Sequence, residues 1–446
     1  MINRIQRVPV KMRLLFNADV SSLFQGAGLV LLVNAFGQLI VFFVQAALAR
    51  IMGVEEYGVY SYVYSWLNIL LIFSLVGFDT AVVRFLPAYR ANEEWQKAHG
   101  MFVFSRWAVF GTSLVVALTA AIIIYFLEVS LPLKNTFWAA CIILPIWAQF
   151  RVYHGILQAL NAVVYSQLLL TIVRPLIFIV LMLTGFYFFS STVNSVQAIW
   201  LHIISMLLLL IISWRIVRAL APQQLLNSHS NFRIREWMRV SLPLSFVYGM
   251  RLLLNSTDII LVGILLGTAE AGIYTVASRI AQLMLFGNSA SNAVMAPLIS
   301  ELFEKQEFGR LQQTVTAACW FSVGTALLIG GIIFVGSNIL LGFYGEGFLD
   351  GKSVLLILGA TQILNAGTGP VGHLLNMTGH QDVNSKMLAV TAILNLILNY
   401  PAILHWGIAG AAIVTGMVGL LKAIWAWYEV RRRIQINSSI VHTFSQ

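Results

Sequence analysis

Charged residues are the scarcest class in this chain. Asp, Glu, Lys and Arg make up only 10% of its 446 residues, where soluble domains carry about 25%. With 59% hydrophobic residues and a mean hydropathy of +0.84, the chain cannot cover itself with a water-facing surface, which excludes a soluble enzyme or binding module. Cysteine is almost as scarce. Cys141 and Cys319 both fall inside apolar runs, where a thiol packs as a small hydrophobe, and two cannot make a disulfide framework. No Gly-x-x-x-x-Gly-Lys-[Ser/Thr] loop is present, so nucleotide hydrolysis of the usual kind within the chain is excluded. The eight histidines are scattered, without the spacing of a metal site, and nothing calls for a metal or a cofactor. Long polar connections are missing too, which argues against a catalytic domain outside the membrane.

What is there is a succession of apolar segments. About 20 residues cross a hydrocarbon core of about 30 Å, and twelve segments are long enough: 23–48, 60–86, 101–126, 136–159, 163–189, 196–220, 237–266, 271–299, 311–344, 352–377, 384–404 and 406–430. The chain therefore reads as an all-α polytopic membrane protein. The polar stretch 221–236 divides the segments six and six. An even number of spans before it makes both halves enter the membrane in the same sense, which predicts two pseudo-symmetric six-helix lobes about an axis along the membrane normal. The expected units are an N-terminal lobe over 1–220, a linker over 221–236, a C-terminal lobe over 237–430 and a tail over 431–446.

Basic residues set the orientation. Arg4, Arg7, Lys11 and Arg13 precede the first span; Arg84, Arg90, Lys97 and Arg106 flank the second connection; Arg215, Arg218, Arg233, Arg235 and Arg239 crowd the middle one. Arg431 to Arg433 fall on the same side, while the intervening connections hold only Arg50, Lys134 and Lys352. By the positive-inside rule both termini and the linker are expected in the cytoplasm, in a multi-pass protein of the cytoplasmic membrane. This bias accounts for the net charge of +10, so the expected partners are anionic lipid headgroups and not nucleic acid. The first apolar run is too long for a signal-peptide core and is expected to stay attached.

One stretch occurs twice. Gly53, Gly58 and Tyr60 correspond to Gly267, Gly272 and Tyr274 at a single offset of 214 residues, and a long apolar segment follows each copy. Gly-x-x-x-x-Gly-[Val/Ile]-Tyr at the same helix boundary in both halves reads as an internal duplication. Beyond the segment the register slips, since Pro87 and Pro297 no longer keep the offset.

The remaining information lies in charge within spans, which costs about 2.5–3.5 kcal/mol at the bilayer centre and so faces a bundle interior or a watery cavity. Arg174 and Arg251 fall near the midplanes of the fifth and seventh spans, and Arg279 in the outer half of the eighth. These three are too deep to reach a headgroup easily and read as cavity residues. Arg151, with His154, and Arg84, with Asp79, lie towards the cytoplasmic ends; Arg84, like Arg50 and Arg106, also fits snorkelling or pairing. Against these cations only Asp79 and Asp258 lie within spans. A cationic interior suits an anionic ligand such as a phosphate or pyrophosphate, gripped by the guanidinium fork. The candidate substrate-binding set is Arg174, Arg251, Arg279, Arg151 and Arg84. Asp79, five residues from Arg84, is expected to form a loose ion pair with it. Asp258, two turns beyond Arg251, either pairs with an arginine or titrates, which makes it the stronger ion-coupling candidate, with Asp79 the weaker.

Prolines 145, 175, 243, 297, 370 and 401 mark places where helices can bend. Pro175 directly follows Arg174, and Gly367-Thr368-Gly369-Pro370-Val371-Gly372 is the densest break. It fits a discontinuous helix or a hinge, or else close packing through small residues.

The stretch ALARIMGVEEYGVYSYV leading into VGFDTAVVRFLPAY resembles the N-terminal signature of the polysaccharide transporter family of Wzx-type flippases, within the superfamily of multidrug, oligosaccharidyl-lipid and polysaccharide exporters. The resemblance implies a V-shaped pair of six-helix lobes with a cationic lumen. Its implied task is to carry a polyprenyl-pyrophosphate-linked oligosaccharide to the outer leaflet, without enzymatic chemistry. The partners would be that lipid-linked saccharide, membrane lipids and other membrane proteins of polysaccharide assembly. Two other readings are a cation-coupled multidrug extrusion antiporter, disfavoured by the sign of the interior, and a membrane-embedded sugar transferase or polymerase, disfavoured by the short connections.

Overall fold

In a computed structural model, residues 10–189 and 193–438 are described, with side chains from 33 onward apart from 35, 188, 189, 290, 293, 294, 296 and 297. Arg4 and Arg7 therefore lie outside the described residues, as does the side chain of Pro297. The chain forms α1 (Val10–Leu75), α2 (Phe78–Ala91), α3 (Trp95–Phe126), α4 (Leu131–Ala159), α5 (Val163–Leu168), a π-helical turn (Leu169–Val173), α6 (Arg174–Phe189), α7 (Ser195–Leu220) and α8 (Gln223–Asn227). The second half holds α9 (Ile234–Leu265), α10 (Thr268–Gln282), a 3₁₀ turn (Leu283–Leu285), α11 (Phe286–Glu304), α12 (Phe308–Gly342), α13 (Lys352–Ala366), α14 (Val371–Met377) and α15 (Gln381–Ile434). No strand occurs among the described residues, as expected where backbone groups must be satisfied within each segment.

Nine helical segments among the described residues are long and apolar enough to cross a membrane. Two of them are double. α1 turns at Gly53 (φ 75°, ψ 174°) and α15 at Gly407 (φ 58°, ψ −145°), backbone conformations essentially open only to glycine. The pair α10–α11, interrupted at Leu283–Leu285, completes an arrangement consistent with twelve passes. Two expected spans are broken inside. The second is interrupted at Val76 and Gly77, both with positive φ, and the tenth at 367–370, where Gly369 has φ 73° and Pro370 precedes α14. At the tenth span the structure selects a discontinuous helix over a continuous, closely packed one.

The helix α4 is the axle of the first half. Its apolar stretch is 72% buried, against 28% for that of α3, because α1, α2, α3 and α7 pack around it. The largest buried apolar cluster spans α1 to α7 and extends into α10, while a second joins α11, α12, α14 and α15. The linker is not a free tether. It contains α8, and the Asn231 amide donates to the Gln96 carbonyl at 3.0 Å. Trp237 at the start of α9 donates from Nε1 to the Tyr89 hydroxyl at 3.0 Å.

The duplicated stretch has the same backbone twice. Gly267 (φ 108°, ψ 165°) repeats the extended, positive-φ geometry of Gly53. The two copies also touch. A Cβ on Gly272 would lie 2.7 Å from the Gly58 Cα and 3.4 Å from the Val54 carbonyl oxygen; one on Gly58 would run into the carbonyl oxygen of Thr268 and come within 2.9 Å of the Ala269 Cα. Val54 and Thr268 stand at the same 214-residue offset, so the contact is reciprocal, as across a twofold axis.

Candidate functional site

Arg174 begins α6 directly after the π-helical turn. Pro175 has no N–H to give, and the resulting mismatch is absorbed by one wide turn, a common cause of such bulges. Opposite the bulge stands Gly37, where a Cβ would come 2.6 Å from the Thr171 Cβ, so α1 sits tight against it. The Arg174 guanidinium lies over the Trp147 ring at 5.9 Å, and Trp147 belongs to a nest of rings about the buried His202. Phe178 is 4.8 Å from that imidazole, Tyr64 5.7 Å and Trp147 5.9 Å, and the Tyr60 hydroxyl lies 3.3 Å from its Nδ1.

Arg279 comes from α10, in the second half of the chain, and shares a tyrosine neighbour with Arg174. It lies among Tyr57, Tyr60, Tyr64 and Tyr344, and its buried Nε has no hydrogen-bond partner. Arg174 and Arg279 thus both act electrostatically on Tyr60. Arg251, exposed on α9, instead neighbours His373 of α14 and Lys422 of α15. The Nδ1 of His373 is buried without a partner. Among the described residues no carboxylate lies within 4 Å of Arg174, Arg251 or Arg279. The expected cationic interior is therefore split into two groups.

Arg151 and Arg84 differ from expectation. Asp79 pairs with Arg151 of α4 at 2.7 Å and not with Arg84. Residues five apart on a helix point to different faces, and Arg84 is exposed, 6.0 Å from the Phe85 ring centroid. Arg151 also lies 5.3 Å from the Tyr248 ring, which ties α4 and α2 to α9.

Asp258 likewise has no arginine partner. Seven residues of helix separate it from Arg251 by about 10 Å along the axis, and three neutral donors take its lone pairs instead: Thr415 Oγ1 at 2.7 Å, Tyr274 Oη at 3.0 Å and Asn399 Nδ2 at 3.0 Å. Asn395 stands beside them, donating to Thr415 at 3.3 Å. The Oδ1 atoms of Asn395 and Asn399 are buried and unpartnered. A carboxylate together with neutral oxygens is the donor set of a hard monovalent cation or of a proton site.

Apart from Lys422, itself a charge inside a span, these neighbours escape a search for charge alone. Lys422 stands in the middle of the twelfth expected span, and Asn395 and Asn399 share a face at i, i+4 in the eleventh, a signal that a census of buried amides would have caught. His202 and His373 carry no signal beyond being polar in an apolar run.

The model of the polysaccharide biosynthesis protein family matches residues 23–303. The chain belongs to this family. The MatE family model matches residues 243–401 as well. A probable low-salt glycan biosynthesis flippase, Agl15, from Haloferax volcanii is 25% identical over 241 residues, covering 52% of this chain and 48% of the relative. The chain thus spans about half the length of that relative in the match. Among solved structures, an inward-facing multidrug resistance MATE family transporter of the MOP superfamily superposes with a TM-score of 0.73 at 15% identity, over 91% of this chain and 98% of the other. The lipid II flippase MurJ in an inward closed conformation gives 0.68 at 12% identity, over 90% and 87%. These two likenesses establish the fold: a multi-pass membrane protein of the MATE and MurJ type.

Proposed function

We propose that the chain is a flippase that carries a polyprenyl-pyrophosphate-linked oligosaccharide from the cytoplasmic to the outer leaflet of the cytoplasmic membrane by alternating access, making and breaking no covalent bond. The observation that carries this reading is that Arg174 and Arg279, one from each half of the chain, both act on Tyr60, with no carboxylate within 4 Å of either among the described residues. Unneutralised guanidinium groups inside a membrane protein call for an anion, and the forked geometry matches phosphate oxygens. Arg251 with His373 and Lys422 supplies a second cationic station. Arg151, neutralised by Asp79, and Arg84, exposed, serve the fold and the membrane surface better than the ligand. The family and the probable glycan flippase among its relatives support a saccharide cargo.

In this reading 1–220 and 237–430 are the two lobes, joined by 221–236, with both termini and the tail 431–446 in the cytoplasm. Asp258 is the ion-coupling residue, since the unpartnered carboxamide oxygens of Asn395 and Asn399 beside it suit a cation. Asp79, held by Arg151, is not.

Reconstitution tests the assignment. In proteoliposomes carrying a lipid-linked oligosaccharide, Arg174→Ala and Arg279→Ala are expected to slow flipping about tenfold or more, the cost of one charge-assisted hydrogen bond, while insertion and melting stay close to the parent. Lysine at either position restores part of the rate. Full activity in both alanine variants overturns the proposal.

A further inference from the structure

The last described residues of the chain turn back onto the break in the tenth span. α15 ends at Ile434, Gln435 adopts a left-handed conformation (φ 59°), and Ile436 and Ser438 are buried at 1% and 0% exposure. Two side chains then read the backbone and side chain of Asn437. The Gln312 carboxamide of α12 accepts from the Asn437 amide at 2.8 Å and donates to its carbonyl at 2.6 Å, a two-point clamp of the kind strands make with one another. Trp427 Nε1 donates to Asn437 Oδ1 at 3.0 Å. One residue on, Ser438 Oγ donates to the Thr368 carbonyl at 3.0 Å, inside the 367–370 break, and a Cβ on Gly369 would lie 2.5 Å from the Ser438 carbonyl oxygen. That break has freed its backbone groups from helical bonding, and a carbonyl left so in the membrane needs a partner.

We propose that residues 435–438 are a strap that fixes the angle between α13 and α14, and that Gln312 and Asn437 are thereby positioning residues for anion binding. α14 starts at Val371, immediately past the strapped residues, and carries His373, which neighbours Arg251, itself a neighbour of Lys422. A short helix of seven residues has little hold on its own orientation. The strap supplies it. This positioning role rests on the anion-binding reading above, but the strap itself does not.

The chain contains its own reporter. The Cys319 thiol lies 3.6 Å from the Gly367 carbonyl and 3.8 Å from that of Ala366, beneath the break. In a Cys141→Ser background, Gln312→Ala and a truncation after Ile434 are expected to raise the rate of Cys319 labelling by N-ethylmaleimide about tenfold. Farnesyl pyrophosphate, the soluble anionic probe, is expected to bind Gln312→Ala several-fold more weakly at an unchanged melting temperature. Gln312→Glu keeps the acceptor and loses the donor, and should fall between. Unchanged labelling in both variants overturns the strap. Raised labelling with unchanged probe affinity overturns the positioning role, provided Arg251→Ala and Lys422→Ala do weaken the probe. If those two also leave it unchanged, the failure belongs to the anion-binding reading, and the labelling result alone decides the strap.

Discussion

Gly58 and Gly272 lie backbone to backbone: Gly58 occupies the place where a side chain on Gly272 would be, and a side chain on Gly58 would meet Thr268 and Ala269 of the other copy. The two glycines are the same residue of a duplicated stretch, so the point where they meet marks the pseudo-twofold relationship within the chain. Alanine at either position puts a methyl group against main chain, which cannot swing aside as a side chain can. The overpacking should cost about 1–3 kcal/mol in each single variant. Because both methyl groups force the same gap open, Gly58→Ala with Gly272→Ala should cost less than the sum. Thermal unfolding of the three variants in detergent checks this, and strict additivity would speak against a direct contact.

Asp79 and Arg151 make a sharper case for stability. Side-chain exposures of 6% and 19% leave little water to take over either charge when the other is removed. Asp79→Asn and Arg151→Ala are each expected to destabilise by about 3–5 kcal/mol. Arg84→Ala should stay within about 0.5 kcal/mol of the parent. Urea or heat unfolding distinguishes the two; a large effect at Arg84 would restore it as the partner of Asp79.

Asp258→Asn keeps the shape of the side chain and removes its charge. Flipping in proteoliposomes is expected to lose its dependence on an imposed ion gradient while the protein remains folded, since an amide can still accept from two of the three donors. Coupling that survives in a stable Asp258→Asn protein would rule the residue out as the ion carrier. A loss of folding would mark the cluster as architectural.

The orientation has an equally direct test. With the native cysteines replaced, a cysteine at Asn227 is expected to react with a membrane-impermeant maleimide only after the cells are opened. Labelling of intact cells would place the linker outside and invert the whole assignment.

Much of the fold was legible because a membrane leaves so few choices. The all-helical, many-span architecture, the internal repeat and the breaks at Gly53, Gly267 and Gly367–Pro370 all follow from apolar length and from glycine and proline. The individual arginines were found by depth alone, and depth carries no information about neighbours. It could not tell that Asp79 faces α4 and not its own helix, nor that Arg174 and Arg279 both act on Tyr60, because both facts depend on how α1 rotates against α4 and α10. The setting of Asp258 was hidden for another reason: its partners are neutral, and Asn395, Asn399 and Thr415 lie more than 130 residues downstream. Only packing brings them together.

The seating of the linker has a consequence for how the molecule is held as one. Asn231 is bonded to Gln96, the Ser230 hydroxyl lies 3.2 Å from His99, and Phe232 and Trp237 both lie beside Phe104. All these contacts are formed by residues that come after α8 with residues of α3. A chain severed between Asn227 and Ser228 would keep every one of them, so the two fragments carry a ready-made docking surface for each other. Expressed separately in one cell, they should find each other and reassemble, and peptide-bond continuity at that point is a convenience of synthesis and not a requirement of the fold.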